Sequence, residues 1–158
     1  MKPAVISEIK QALNTLSVKE LMELCLQLAK YKKDNKELLS YLLFEADDIT
    51  TFVTGVKEEI DLQFSALPGP NIYLTKKSLR KILRGITKYI RYTGNAEQAI
   101  EMLMHFCIKL KASGIPFQKH QQLLNMYNQQ LKKIQTLIDT LHEDLAYDYK
   151  KKMEKLSA

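Results

Sequence analysis

The stretch Ile72–Thr93 reads IYLTKKSLRKILRGITKYIRYT. Ile72, Leu79, Ile82, Leu83, Ile86 and Ile90 return every three or four positions, which predicts an amphipathic helix. At 100° per residue they share one side, with Tyr89 at its margin. Lys76, Lys77, Arg80, Lys81, Arg84, Lys88 and Arg91 fill an arc of roughly 140° on the other side, and Tyr73 projects from its middle. No acid interrupts the arc. A helix with one dry face must be covered, and no strand-like alternation occurs on either flank. The expected fold is therefore all-α.

Working outward, Leu67-Pro68-Gly69-Pro70-Asn71 is the firmest break in the chain, and Gly94 is a natural left-handed helix end. Upstream, Pro3 opens a short helix with the stripe Val5, Ile6, Ile9, Leu13 and Leu16. Ser17 caps a second helix, with Glu20 completing a capping box and Leu16 and Leu21 forming a staple. Leu21, Leu24, Cys25 and Leu28 are its expected buried face. Asp34 and Glu37 repeat the capping pattern before Leu38, Leu39, Leu42 and Leu43. Asp47 or Asp48 caps a fourth helix running to about Ala66, with Phe52, Val53, Val56, Ile60 and Phe64 inward.

Downstream, Asn95 caps a sixth helix carrying Ile100, Leu103, Met104, Phe106, Cys107 and Leu110, which ends at Ser113–Pro116. Beyond Phe117 there is neither Gly nor Pro. His120, Leu124, Tyr127, Leu131, Ile134, Ile138, Leu141 and Leu145 recur with coiled-coil spacing. One final helix of ~38 residues, about 57 Å long, is expected. Its distal half, through Ile138, Leu141 and Leu145, is a candidate seam for self-association or a protein partner. The whole reads as a single domain over 1–158: an antiparallel bundle or array of about seven helices with a long C-terminal one.

Composition agrees. Apolar residues make up 46% and charged residues 27% of the 158, which excludes a disordered chain. Five glycines, four prolines and no tryptophan leave few breakers. Cys25 and Cys107 lie among apolar neighbours and read as buried free thiols. No apolar run reaches the ~18 residues of a membrane span, and no signal peptide is visible, so the expected location is cytoplasmic.

The net charge of +6 comes from the Ile72–Thr93 stretch alone, because the other 17 lysines meet 18 acids. Two readings compete for the cationic arc. It can meet phosphates, with Tyr73 stacking on a base. Or it can be a solvated face, flanked by the acids Glu37, Glu45, Asp47, Asp48, Glu58, Glu59 and Asp61 on an antiparallel return.

Catalytic constellations are missing from the sequence. Glu101 with His105, and Asp139 with His142, could each offer two metal ligands, but neither pair has a third at usable spacing. No H-E-x-x-H, Cys-x-x-Cys, P-loop or Gly-rich dinucleotide turn occurs. The expectation is no enzyme, no cofactor and no resident metal.

Four runs together carry a likeness: Glu37–Ala46 (ELLSYLLFEA), Val56–Ile60 (VKEEI), Lys76–Arg84 (KKSLRKILR) and Leu141–Tyr149 (LHEDLAYDY). In this order the chain, from about Leu16 to Tyr149, resembles a family of small all-helical bacterial proteins of unknown function. The resemblance implies a bacterial cytoplasmic protein and supplies no active-site residue. The leading reading is a non-enzymatic interaction or scaffolding module. The alternative is a nucleic-acid-binding protein using the helix at 72–93.

Overall fold

A computed structural model describes residues 1–157. Eight α-helices follow one another: α1 (Ile6–Leu13), α2 (Val18–Tyr31), α3 (Lys33–Phe44), α4 (Ile49–Ser65), α5 (Ile72–Thr93), α6 (Ala96–Ala112), α7 (Gln121–Ile138) and α8 (Glu143–Ser157). A 3₁₀ turn at Phe117–Lys119 leads into α7, and no strand occurs among the described residues. No helix is long and apolar enough to cross a membrane. The chain forms two compact units, divided between Phe44 and Glu45.

The first unit holds α1 to α3, with α2 and α3 packed along each other. The capping box at Ser17 forms as the sequence predicts. Ser17 N–H donates to Glu20 Oε2 at 2.7 Å, and Glu20 N–H donates to Ser17 Oγ at 3.3 Å. Asp34 does not cap α3. The helix already includes Lys33, and Asp34 lies in its first turn, where a carboxylate suits the helix dipole. Between α2 and α3, Lys32 is extended, and Asn35 Nδ2 donates to the carbonyl of Leu28 at 2.9 Å.

This unit departs from the expected core. Leu24 and Leu28 read as interior, yet both lie exposed, Leu28 by 60%, and Leu42 of α3 is exposed too. Cys25 is exposed as well, so it is not the buried thiol its neighbours suggest. The stripes are amphipathic as read, but three short helices offer too little opposing surface to cover them. Tyr41 is the one fully buried side chain in α1, α2 and α3.

The second unit is built around α6, which contacts α4, α5, α7 and α8. Apolar residues ring α6 nearly all round, and such a helix is stable only in the middle of others. Ile100, Met102, Phe106, Cys107 and Leu110 are fully buried on it. Burial pushes the Cys107 thiol up to about 12, as befits an inert core cysteine. Phe52, Val56, Ile82, Ile86, Leu103 and Ile138 are buried as expected, while Leu131 is half-buried.

The long C-terminal helix is not there. α7 stops at Ile138 and the chain reverses through Asp139–His142. Thr140 N–H and Oγ1 both bond the Leu137 carbonyl, at 3.0 and 2.7 Å, and Leu141 N–H bonds that of Ile138 at 3.0 Å. The turn is thus closed by local bonds that compete with the helix ladder, without glycine or proline. What rewards it is tertiary. Tyr127 Oη donates to the Leu156 carbonyl at 2.7 Å, and Lys111 Nζ donates to the carbonyls of Lys155 and Leu156. The reversal buries Ala146, Tyr149 and Leu156. A straight 57 Å helix would leave them in water.

Candidate functional site

Asn71 begins α5 by accepting the Leu74 N–H on its side-chain oxygen at 3.1 Å. Gly94, at φ 59°, ends it in the left-handed conformation that glycine adopts without a Cβ clash. Thr75, Leu79, Ile82 and Ile86 are buried. Thr75 anchors the inner face to the preceding loop, its hydroxyl donating to the Pro68 carbonyl at 3.0 Å. This fixes the rotation of the helix, and with it the outward direction of the cationic arc.

Lys77, Arg80, Lys81, Arg84 and Arg91 are exposed, and none has an ion-pair partner among the described residues. From Lys77 to Arg91 they span about 21 Å of helix axis. Lys76 and Lys88 are half-buried at the edges of the arc. Lys76 Nζ donates to Gln122 of α7 and stands 5.5 Å from the ring centre of Tyr73. Lys88 Nζ lies 5.2 Å from the ring centre of Tyr89. Tyr73 itself is 69% exposed.

The acids of α4 do not neutralise these five cations. Asp61 takes His105 Nε2 at 2.6 Å and Lys109 Nζ at 2.9 Å, both from α6. Glu59 accepts the Tyr89 hydroxyl at 2.7 Å and Gln63 Nε2 at 2.8 Å. Asp48 caps α4 through Thr51. Of the α4 acids expected to flank part of the arc, Asp61 thus turns to α6 and Glu59 meets the Tyr89 hydroxyl of α5 rather than a cation.

A second polar cluster joins α4, α6 and α8. The Glu101 carboxylate receives Lys57 Nζ, the Tyr149 hydroxyl at 2.9 Å and, more distantly, Lys152 Nζ at 3.8 Å. Burial pushes the Glu101 carboxyl up, but the bonds from Lys57 and Tyr149 outweigh it and hold the group below its ordinary 4.5. Asp61 behaves alike. Burial raises it, and the bonds from Lys109 and His105 bring it below 3.8. Burial first, then the Glu101 bond, drives the Tyr149 phenol far up.

Both carboxyls are depressed in the folded state, so they stabilise it fully above their ordinary values. That contribution is lost as pH falls through the lowered ones. Acid unfolding followed by circular dichroism is expected to shift to higher pH in Glu101→Gln. An unchanged acid midpoint would show that this cluster carries no linkage.

Glu101 and His105 thus serve different partners and do not converge on a metal. His142 Nδ1 lies 3.8 Å from Asp144 at an exposed position, and Asp139 accepts Gln135 Nε2. Among the described residues no three His, Cys, Asp or Glu side chains converge on a possible ion site. Beside the Glu101 cluster lies an open groove of about 600 Å³ lined partly by Lys57, Lys111 and Lys152. Those ammonium groups are already engaged by Glu101 or by carbonyls of α8.

Of the residues of the candidate seam, Ile138 is fully buried inside the protomer, Leu141 is half-buried and Leu145 is 41% exposed. Leu145 and Tyr147 are the large apolar side chains that α8 leaves in water. The polar network around Glu101 went unread in the sequence. Lys57, Tyr149 and Lys152 lie 44 to 51 residues from Glu101, a separation at which no motif signals a contact.

Comparison with protein-family models, with curated proteins and with solved structures finds no match to this chain.

Proposed function

We propose that the protein is a non-enzymatic binding module whose α5 face engages a nucleic acid through its phosphates. One observation carries the reading: Lys77, Arg80, Lys81, Arg84 and Arg91 form an exposed row with no carboxylate partner. A solvated face would serve solubility equally well if its charges were dispersed or paired. Concentrating the whole net charge on one helix face creates a local positive potential that attracts polyanions. Tyr73, exposed at the N-terminal end of the same arc, supplies a ring on which an unpaired base can stack.

Contacts of this kind hold the backbone and do not read bases. Changing Arg80 and Arg84 to Gln is thus expected to weaken binding alike for unrelated RNA or DNA sequences. Folding should be untouched, since exposed substitutions typically cost under ~0.5 kcal/mol. Gel-shift titrations beside a melting curve test this. Wild-type protein that binds nothing at low salt, or a double variant that binds as well as wild type, removes the proposal.

A further inference from the structure

We propose that the groove between α4, α6 and α8 binds a small amphipathic anion, a flexible apolar chain ending in a carboxylate. The chain lies along Met104, Ile108 and Leu156, and the carboxylate meets Lys152 and Lys155 of α8. This does not depend on the nucleic-acid reading. The groove holds about 600 Å³. Small-molecule sites span ~300–1,000 Å³ and pair a mostly apolar lining with a few polar groups. Ile108 shows that the floor of the groove is unfinished. The other large apolar side chains of α6 are covered by its neighbours, yet Ile108 stands 50% exposed. Met104 and Leu156, at 5% and 6%, belong to the same floor.

Charge names the ligand. Lys57, Lys111, Lys152 and Lys155 line the groove against one carboxylate, Glu101, so among the described residues four ammonium groups leave an excess of three positive charges. The existing bonds do not remove that excess. Glu101 takes Lys57 and the Tyr149 hydroxyl, and it reaches Lys152 only at 3.8 Å. Lys111 Nζ donates to the carbonyls of Lys155 and Leu156, which are dipoles and carry no balancing charge. Lys155 Nζ has no ion pair among the described residues. His105 also lines the groove, but its Nε2 lies 2.6 Å from Asp61, which is not a lining residue. Glu97 accepts the Tyr149 hydroxyl at 3.3 Å and does not line the groove either.

Lys152 and Lys155, three apart on α8, share a helix face. Like charges along an apolar wall focus a positive potential, and a carboxylate takes charge-assisted bonds from ammonium groups. An uncharged apolar ligand would leave the excess charge in place, and a small inorganic anion would leave Ile108 in water.

The test titrates decanoate into the full chain by isothermal calorimetry, below the concentration at which it forms micelles. One saturable site is expected. Affinity should rise up to about fourfold per methylene from octanoate to dodecanoate, the equivalent of ~0.8 kcal/mol per buried CH₂. Decanol has the chain without the charge and acetate the charge without the chain, and each should bind about 10-fold more weakly or worse. Lys152→Gln with Lys155→Gln should weaken decanoate binding about 10-fold or more, whereas Ile108→Ser should flatten the chain-length series. All three positions are exposed, so circular dichroism and melting are expected to match wild type.

The absence of saturable binding, or equal affinity for decanol, overturns the proposal. So does decanoate binding that these variants leave unchanged, or that Arg80→Gln with Arg84→Gln abolishes, because either places the ligand on another face. Binding to anionic phospholipid vesicles without binding to free decanoate assigns the groove to a membrane surface and overturns it as well.

Discussion

Phe106→Ala lowers the stability of the second unit by about 3–5 kcal/mol in urea unfolding, the usual range for emptying a buried aromatic site. Phe106 is fully buried at the middle of α6, the helix that touches every other long helix of the unit. Its ring stands 5.5 Å from that of Phe64, tilted by 60°, so α4 loses one of its apolar contacts with α6 when the ring goes. An aromatic pair of this kind adds about 0.5–1.5 kcal/mol beyond burial. The site cannot collapse cheaply, because Ile100, Leu103 and Leu110, also buried, anchor α6 on either side of Phe106. A loss below ~1 kcal/mol at unchanged m-value would mean that α6 is not the centre of the unit.

What the sequence disclosed followed the reach of each signal. Caps act within one turn, so Ser17, Asp48 and Asn95 each cap the helix that follows, as read. Gly94 ended α5 for the same local reason. The rotation of α5 was legible because its apolar and cationic residues are cleanly segregated, and the burial of Leu79, Ile82 and Ile86 follows that division. Whether a dry stripe finds a cover depends on distant chain, and here local reading failed. Leu24 and Leu28 carry the right period on α2, but period does not reveal that their own unit is too small to bury them.

The α7–α8 reversal was hidden for a related reason. Asp139-Thr140-Leu141-His142 contains no breaker, and the heptad spacing runs on through Leu141 and Leu145. The turn is selected by what it lets Tyr149 and Leu156 reach, in particular the bond from Tyr127 to the Leu156 carbonyl. The pairing of the α4 acids was likewise beyond the sequence. Opposite charges on consecutive helices allowed α4 acids to flank part of the α5 arc, yet Asp61 turns to His105 and Lys109 on α6. Lys77, Arg80, Lys81, Arg84 and Arg91 have no ion pair among the described residues.

The second large effect is the salt dependence of polyanion binding. Each duplex phosphate neutralised by a cation releases condensed counterions and contributes a log–log slope of about −0.9. Five contacts from Lys77, Arg80, Lys81, Arg84 and Arg91 give a slope near −4.5, so affinity falls roughly 500-fold between 50 and 200 mM salt. Removing Arg80 and Arg84 as charges leaves three contacts and a slope near −2.7. The change in slope is more informative than the change in affinity, because a variant that merely unfolds alters the active fraction and not the slope. The most direct measurement is the affinity of the full chain for a mixed-sequence duplex across that salt range, beside the Arg80→Gln, Arg84→Gln variant. The cationic α5 face predicts a steep wild-type slope that becomes shallower by about 1.8 in the variant. A slope shallower than about −1, or one identical in both proteins, contradicts it.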